Sequence, residues 1–127
     1  MSRQMIHTEF APAAIGPYSQ AVRSGNTVYL SGQIPLDPAT ALIVEGDISV
    51  QARRAFDNLR AVCAAAGGSF EQVVRLGLYL TNLDDFAAVN AVMGDYFKAP
   101  YPARSTVEVA GLPRGAAFEV DAVMVLD

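Results

Sequence analysis

Cysteine and histidine are almost absent. The chain holds one cysteine, Cys63, and one histidine, His7, among 127 residues. A single cysteine excludes an internal disulfide and any zinc site built on several thiolates. A single histidine excludes metal motifs that need a pair, and its place near the N-terminus suits a Ser-His-Asp triad poorly. Charge is also scarce, at 17% of residues against 52% hydrophobic, with a net charge of -4. The basic residues (Arg3, Arg23, Arg53, Arg54, Arg60, Arg75, Lys98, Arg104 and Arg114) are scattered. A nucleic-acid binder carries a basic patch or stripe, and only Arg53-Arg54-Arg60 is dense, as a solvated helix face would be. No nucleic-acid partner is expected. No window reaches the ~18 consecutive apolar residues of a membrane span, and the start, Met1 to His7, lacks the apolar run of a signal peptide. The glycine-rich, P-loop, Gly-x-Ser-x-Gly and HExxH motifs are missing too. The simplest reading is a cytoplasmic, metal-free protein.

What is present fits one domain, residues 1–127. So apolar a small chain is expected to bury surface against copies of itself. Ala21 to Ile34 reads as a hairpin turning at Gly25-Asn26, residues that tolerate positive φ. Ile48, Ala52, Ala55, Leu59, Val62 and Ala66 recur at helical spacing, predicting a helix from about Ser49 to Ala66 that stops at Gly67-Gly68. Cys63 lies inside it as a core residue. Val73 to Leu80 reads as a buried strand, weakest at Gly77. Asn82-Leu83-Asp84-Asp85 opens a second helix whose apolar stripe is Phe86, Val89, Met93 and Phe97. Arg104 to Val109 and Ala117 to Leu126 then read as a final hairpin around Leu112-Pro113-Arg114-Gly115. The pattern is α+β: one sheet, both helices on one face, and a second face that association would cover.

Polar residues in places that stability does not demand mark candidate chemistry. Arg104 opens a strand, with Thr106 and Glu108 on its side of the pleat. In the last strand Glu119 and Asp121 share a mixed face with Val123 and Val125, while Phe118, Val120, Ala122, Met124 and Leu126 form an apolar one. On neighbouring arms of a hairpin, Arg104 and Glu119 read either as a cross-strand ion pair or as a site holding one cation and one carboxylate. Spacing leaves both open. Tyr18, after Gly16-Pro17, is an aromatic anchor or a hydroxyl set to hold a ligand or water. Ser31-Gly32 ends a strand where glycine admits close backbone approach. Asn90, beside the second helix's stripe, reads as a buried amide tying down a loop or as a ligand contact.

With these residues assembled, the chain resembles the RidA family, also called the YjgF family. The resemblance rests on "AAIGPYSQAV", "VYLSGQIPLDP", "QARRAFDNLRAVCAAAG", "FAAVNAVMGDYF", "PARSTVEVAGLP" and "FEVDAV", in the family's order from about Ala11 to Val125. It implies a chorismate-mutase-like fold, a mixed β-sheet with two helices on one face. It also implies a homotrimer around a central barrel, with clefts between subunits. The implied activity is hydrolytic deamination of 2-aminoacrylate/2-iminopropanoate and 2-iminobutanoate to 2-oxo acids and ammonia, with no cofactor. Under the same resemblance Arg104 binds the substrate carboxylate, Glu119 partners a water and Tyr18 lines the pocket. Ser31, Gly32, Thr106 and Asn90 complete the binding set. Three departures bear on specificity. Thr106 stands where many relatives have cysteine, the 98–102 connection is short, and Ala41 stands where a turn glycine is common. The alternatives are a deaminase of a bulkier enamine such as 2-aminomuconate, a 2-oxo-acid-binding trimer without turnover, and the ribonuclease activity attached to some relatives. The charge and the lack of a basic stripe disfavour the last of these.

Overall fold

Alternating burial along the extended segments folds them into one six-stranded sheet, with helices on one side only. The computed structural model describes residues 2–127. In chain order the elements are β1 (Gln4–Ile6), β2 (Ala21–Ser24), β3 (Thr27–Gln33), α1 (Ile48–Ala65), β4 (Val73–Leu80), α2 (Phe86–Gly94), β5 (Ala103–Glu108) and β6 (Phe118–Val125). The predicted β2–β3 hairpin is present, pairing Ser24 with Thr27 across Gly25, whose φ is 60°. Asp47 caps α1 by accepting from the Val50 N–H at 3.1 Å. The helix stops as predicted: Gly67 is left-handed at φ 88°, and the Gly68 N–H reaches the Cys63 carbonyl at 3.0 Å.

The final hairpin does not form. The strand order is β1-β2-β3-β6-β4-β5, so β4 lies between the last two strands. β5 pairs parallel to β4, with α2 as the crossover, and β6 returns antiparallel between β3 and β4. The reason lies in the side chains. β6 carries Phe118, Val120, Ala122 and Met124, all buried, and takes a central place. β5 carries Arg104, Ser105 and Glu108, all exposed, and takes the edge. The second helix is also shorter than its stripe predicts, ending at Gly94. Beyond it the Tyr96 and Phe97 N–H groups bond back to the Met93 carbonyl and both rings turn into the core. Tyr96 stacks on Phe56 at 5.3 Å and Phe97 on Phe70 at 4.4 Å.

The core lies between the helices and the face of Val28, Leu30, Leu76, Leu78, Leu80, Val120 and Met124. Cys63 is fully buried there, and burial pushes its thiol pKa up to about 12. The opposite face of the sheet is bare in the single chain. It presents Met5, Tyr29, Val107 and Val125 together with Arg75, Tyr79, Glu119 and Asp121. Among the described residues no helix is long and apolar enough to cross a membrane.

Candidate active site

The sequence-predicted residues fall into two groups. Tyr18, Ser31, Gly32 and Glu119 line one cleft of about 640 Å³, together with Gln33 and Arg114. Its floor is made by an irregularity in β3. Leu30 faces Ala122 and Gln33 faces Val120, so Ser31 and Gly32 together oppose Asp121 alone. Such a bulge re-aims the strand and frees backbone groups from the ladder. The Ser31 hydroxyl donates to the Ser19 carbonyl at 2.6 Å, holding the Gly16–Ser19 turn against the strand. Gly16 sits at φ 121°, which glycine alone adopts freely. Tyr18 is thereby presented with its ring half exposed, and its hydroxyl makes no hydrogen bond among the described residues.

Gly32 is required by Glu119. A Cβ at Gly32 would lie 2.8 Å from the Glu119 carboxyl carbon, so the missing side chain is the space the carboxylate occupies. Glu119 is half-buried, and its pKa is raised, first by burial and then by the neighbouring Asp121 charge. No cation offsets it. The ion pairs among the described residues are Arg53–Asp95 and Arg60–Asp57, both on the helical side.

Arg104 lies elsewhere. It opposes Leu76 of β4 and therefore points to the helix-covered face, whereas Glu119 opposes Tyr79 and points to the bare face. With β4 between their strands and the sheet between their side chains, the two form no ion pair. That reading of the sequence is overturned, because it depended on a hairpin that does not exist. Arg104 instead lines a cavity of about 340 Å³ with Asn90, Met93, Tyr101 and Pro102. Its Nη1 donates to Asn90 Oδ1 at 2.6 Å and lies 3.2 Å from Met93 Sδ, and the guanidinium sits 5.1 Å from the Phe86 ring centre. Nε and Nη2 have no partner among the described residues. Asn90 is not the buried amide the sequence suggested. It is exposed, and it fixes the arginine. Thr106 is half-buried on the same side of β5 and lines neither cavity.

Residues 8–126 match the family model described as Endoribonuclease L-PSP. The chain belongs to the RidA (YjgF) family. It is 55% identical over 127 residues to Protein DfrA of Myxococcus xanthus, covering 98% of this chain and 97% of that one. It is 46% identical over 125 residues to the 2-iminobutanoate/2-iminopropanoate deaminase of Dermatophagoides farinae, covering 98% of each. Its structure superposes on RidA from the Antarctic bacterium Psychrobacter sp. PAMC 21119 with a TM-score of 0.93 and 48% identity, covering 97% of this chain and 99% of that one.

Around the two cavities of this RidA-family chain stand residues that the sequence does not mark as site residues. By spacing alone Phe86 and Met93 read only as an apolar stripe. Yet Phe86, Asn90 and Met93 are spaced four and three apart on one helix face, and an amide within such a stripe signals a polar client, here Arg104. Among the described residues, Arg114 and Ala41 are the non-glycine residues with positive φ, at 61° and 60°, and the Arg114 Nη2 donates to the Ala41 carbonyl at 2.9 Å. The glycine-like position of Ala41 was legible, whereas the conformation of Arg114 had no sequence signal. Gln20 is buried and binds Thr8 and Pro12 through both ends of its amide, closing the N-terminal arm over the cleft. No three His, Cys, Asp or Glu side chains are grouped as a metal ion would need among the described residues.

Proposed function

We propose that this RidA-family chain hydrolyses small 2-imino and enamine acids, such as 2-iminobutanoate and 2-iminopropanoate, to 2-oxo acids and ammonium. The observation that carries this reading is the grip on Arg104. Asn90 and Met93 occupy Nη1 alone, so the Nε–Nη2 edge keeps two parallel donors, the pattern that binds a carboxylate bidentately. Glu119 supplies the complement: a carboxylate with no counter-charge, facing space, suits a substrate whose nitrogen is cationic. The deaminase name of a relative 46% identical to this chain supports the same chemistry.

Because Arg104 and Glu119 face opposite sides of one sheet, a site that uses both takes one from each of two protomers. The apolar part of the bare face is the surface such an assembly would cover, in a homotrimer with clefts between subunits. In that cleft Arg104 binds the substrate carboxylate, and the backbone at Thr106 and Gly32 adds donors. Tyr18 and Glu119 hold a water against the C=N carbon. The water oxygen bonds to that carbon as Glu119 takes its proton. Glu119 returns that proton to the carbinolamine nitrogen, and the C–N bond breaks as Glu119 takes the carbinol hydroxyl proton; ammonia leaves and carries that last proton away as ammonium. Iminium plus water gives ketone plus ammonium, so the step balances without an electron carrier. The iminium is already electrophilic, and the protein supplies position and proton traffic.

The test couples the purified protein to a threonine dehydratase and follows the imine by semicarbazide trapping. Faster loss of the imine than in buffer is the expected result. Unchanged loss sinks the proposal, and binding of 2-oxobutanoate without turnover would replace it with a binding trimer.

A further inference from the structure

The bare face of the sheet holds a second carboxylate that the proposed chemistry does not use. Asp121 stands two residues from Glu119 on the same face of β6. Directly opposite Asp121, β4 carries a glycine, Gly77, and directly opposite Glu119 it carries Tyr79. The tyrosine leans back along its own strand, across the glycine, and its hydroxyl donates to Asp121 Oδ2 at 3.0 Å. A Cβ at Gly77 would lie 2.7 Å from the Tyr79 hydroxyl oxygen, so that hydrogen bond exists because the position is glycine. The arrangement repeats the pairing of Gly32 with Glu119, where a missing side chain also makes room for a carboxylate. Buried tyrosine hydroxyls usually find a partner, but a sheet needs no glycine for stability, and glycine in a strand interior weakens it. The weak point that the sequence showed at Gly77 is therefore the space in which Asp121 is held.

We propose that Asp121, anchored by Tyr79 in the gap left by Gly77, is a positioning residue that governs the protonation of Glu119. This rests on the reading of Glu119 as the proton-handling carboxylate. A second negative charge on the same face opposes ionisation of Glu119, so the proton that Glu119 takes from water is held more firmly and remains available for the departing nitrogen. Tyr79 is suited to the anchor because burial and Asp121 both raise its own pKa, keeping the hydroxyl a donor. The other groups near this cluster are Arg75 on β4, which donates to Ser105 at 3.3 Å, Tyr29 on β3, and Tyr18 and Arg114, which border the cleft holding Glu119; in the proposed assembly the Arg104 of a neighbouring protomer faces Glu119 in wild type and in both variants alike. Within one chain none of them forms an ion pair with either carboxylate.

The experiment compares wild type with Asp121→Asn, which retains an oxygen for Tyr79 but removes the charge, and with Asp121→Glu, which restores it. Two quantities are read: the carbon-13 titration of the Glu119 carboxyl, assigned with Glu119→Gln, and the pH profile of kcat/KM on 2-iminobutanoate. In Asp121→Asn the Glu119 midpoint and the acid limb of the profile both move to lower pH. The fraction of plateau activity kept at a pH on that limb rises by about threefold, as a water-screened charge two strand residues, about 7 Å, away requires. Asp121→Glu returns both toward wild type. A residue serving only the fold would lower kcat/KM without moving either curve. An unmoved Glu119 midpoint in Asp121→Asn overturns the proposal, as does a moved midpoint with an unmoved limb. A wild type without turnover sinks the deamination reading instead, and the carbon-13 midpoint still decides the pair.

Discussion

Arg104 owes its geometry to three side chains and offers its remaining edge to solvent. Lysine at this position keeps the charge but loses the planar fork, and it cannot reach Asn90 and a carboxylate in the same way. Arg104→Lys is expected to lower kcat/KM roughly 10²-fold, about 3 kcal/mol of transition-state stabilisation, while leaving thermal unfolding near wild type. Near-normal activity would reduce Arg104 to a surface contact. Glu119 makes the opposite trade. Burial and Asp121 raise its pKa above the unfolded value, so its protonated form supports the fold and its ionised form opposes it. That support is complete below the ordinary carboxylate range, near pH 4, and is lost as pH rises through the elevated folded value. Glu119→Gln is therefore expected to melt higher than wild type at pH 7, with the gap closing toward about pH 4, and to be inactive as a deaminase. Scanning calorimetry across that range checks the sign, and a lower melting point at pH 7 would contradict it.

The bulge at Ser31-Gly32 is the element that turns a strand into a cleft floor. Alanine at Gly32 would meet the far end of the flexible Glu119 side chain rather than backbone, so the carboxylate yields before the sheet does. Gly32→Ala is expected to cost about tenfold or more in kcat/KM, while its melting point stays within about 3 °C of wild type. A large loss of stability with normal specific activity would place the glycine in folding instead. The same elements show how far the sequence could be read. Local periodicity located the β2–β3 hairpin, the start and stop of α1, and β4, because turn glycines and caps act over a few residues. It failed where a long-range choice decides. Arg104 and Glu119 lie close enough in sequence to suggest a hairpin. The apolar face of β6, however, gains more beside β3 and β4 than beside the exposed β5, and nothing between Val109 and Ala117 announces that preference. The site was legible as residues and illegible as geometry. Tyr18, Ser31, Gly32 and Glu119 do converge, Arg104 and Asn90 converge separately, and the opposed faces emerge only from the strand order.

As a whole molecule the protomer holds half of the proposed site on each face of its sheet. If two protomers complete one site, neither Arg104→Ala nor Glu119→Gln is active alone, but a mixed assembly contains clefts with both native residues. Co-expression at equal levels is expected to restore about a quarter of the native sites in a trimer that draws one residue from each neighbour. Recovery of none would place both residues in a single chain's chemistry or remove one of them from it. Sedimentation of the mixture reports whether assembly itself survived. One further property of the whole fold concerns time rather than chemistry. Cys63 has no exposed surface, its thiol is held far from ionisation, and no other cysteine competes with it. A thiol reagent can meet it only when α1 lifts from the sheet, so the labelling rate in native buffer counts those openings directly. The chain thus carries its own clock for core breathing, and any ligand that tightens the cleft should be visible as a slowing of that clock.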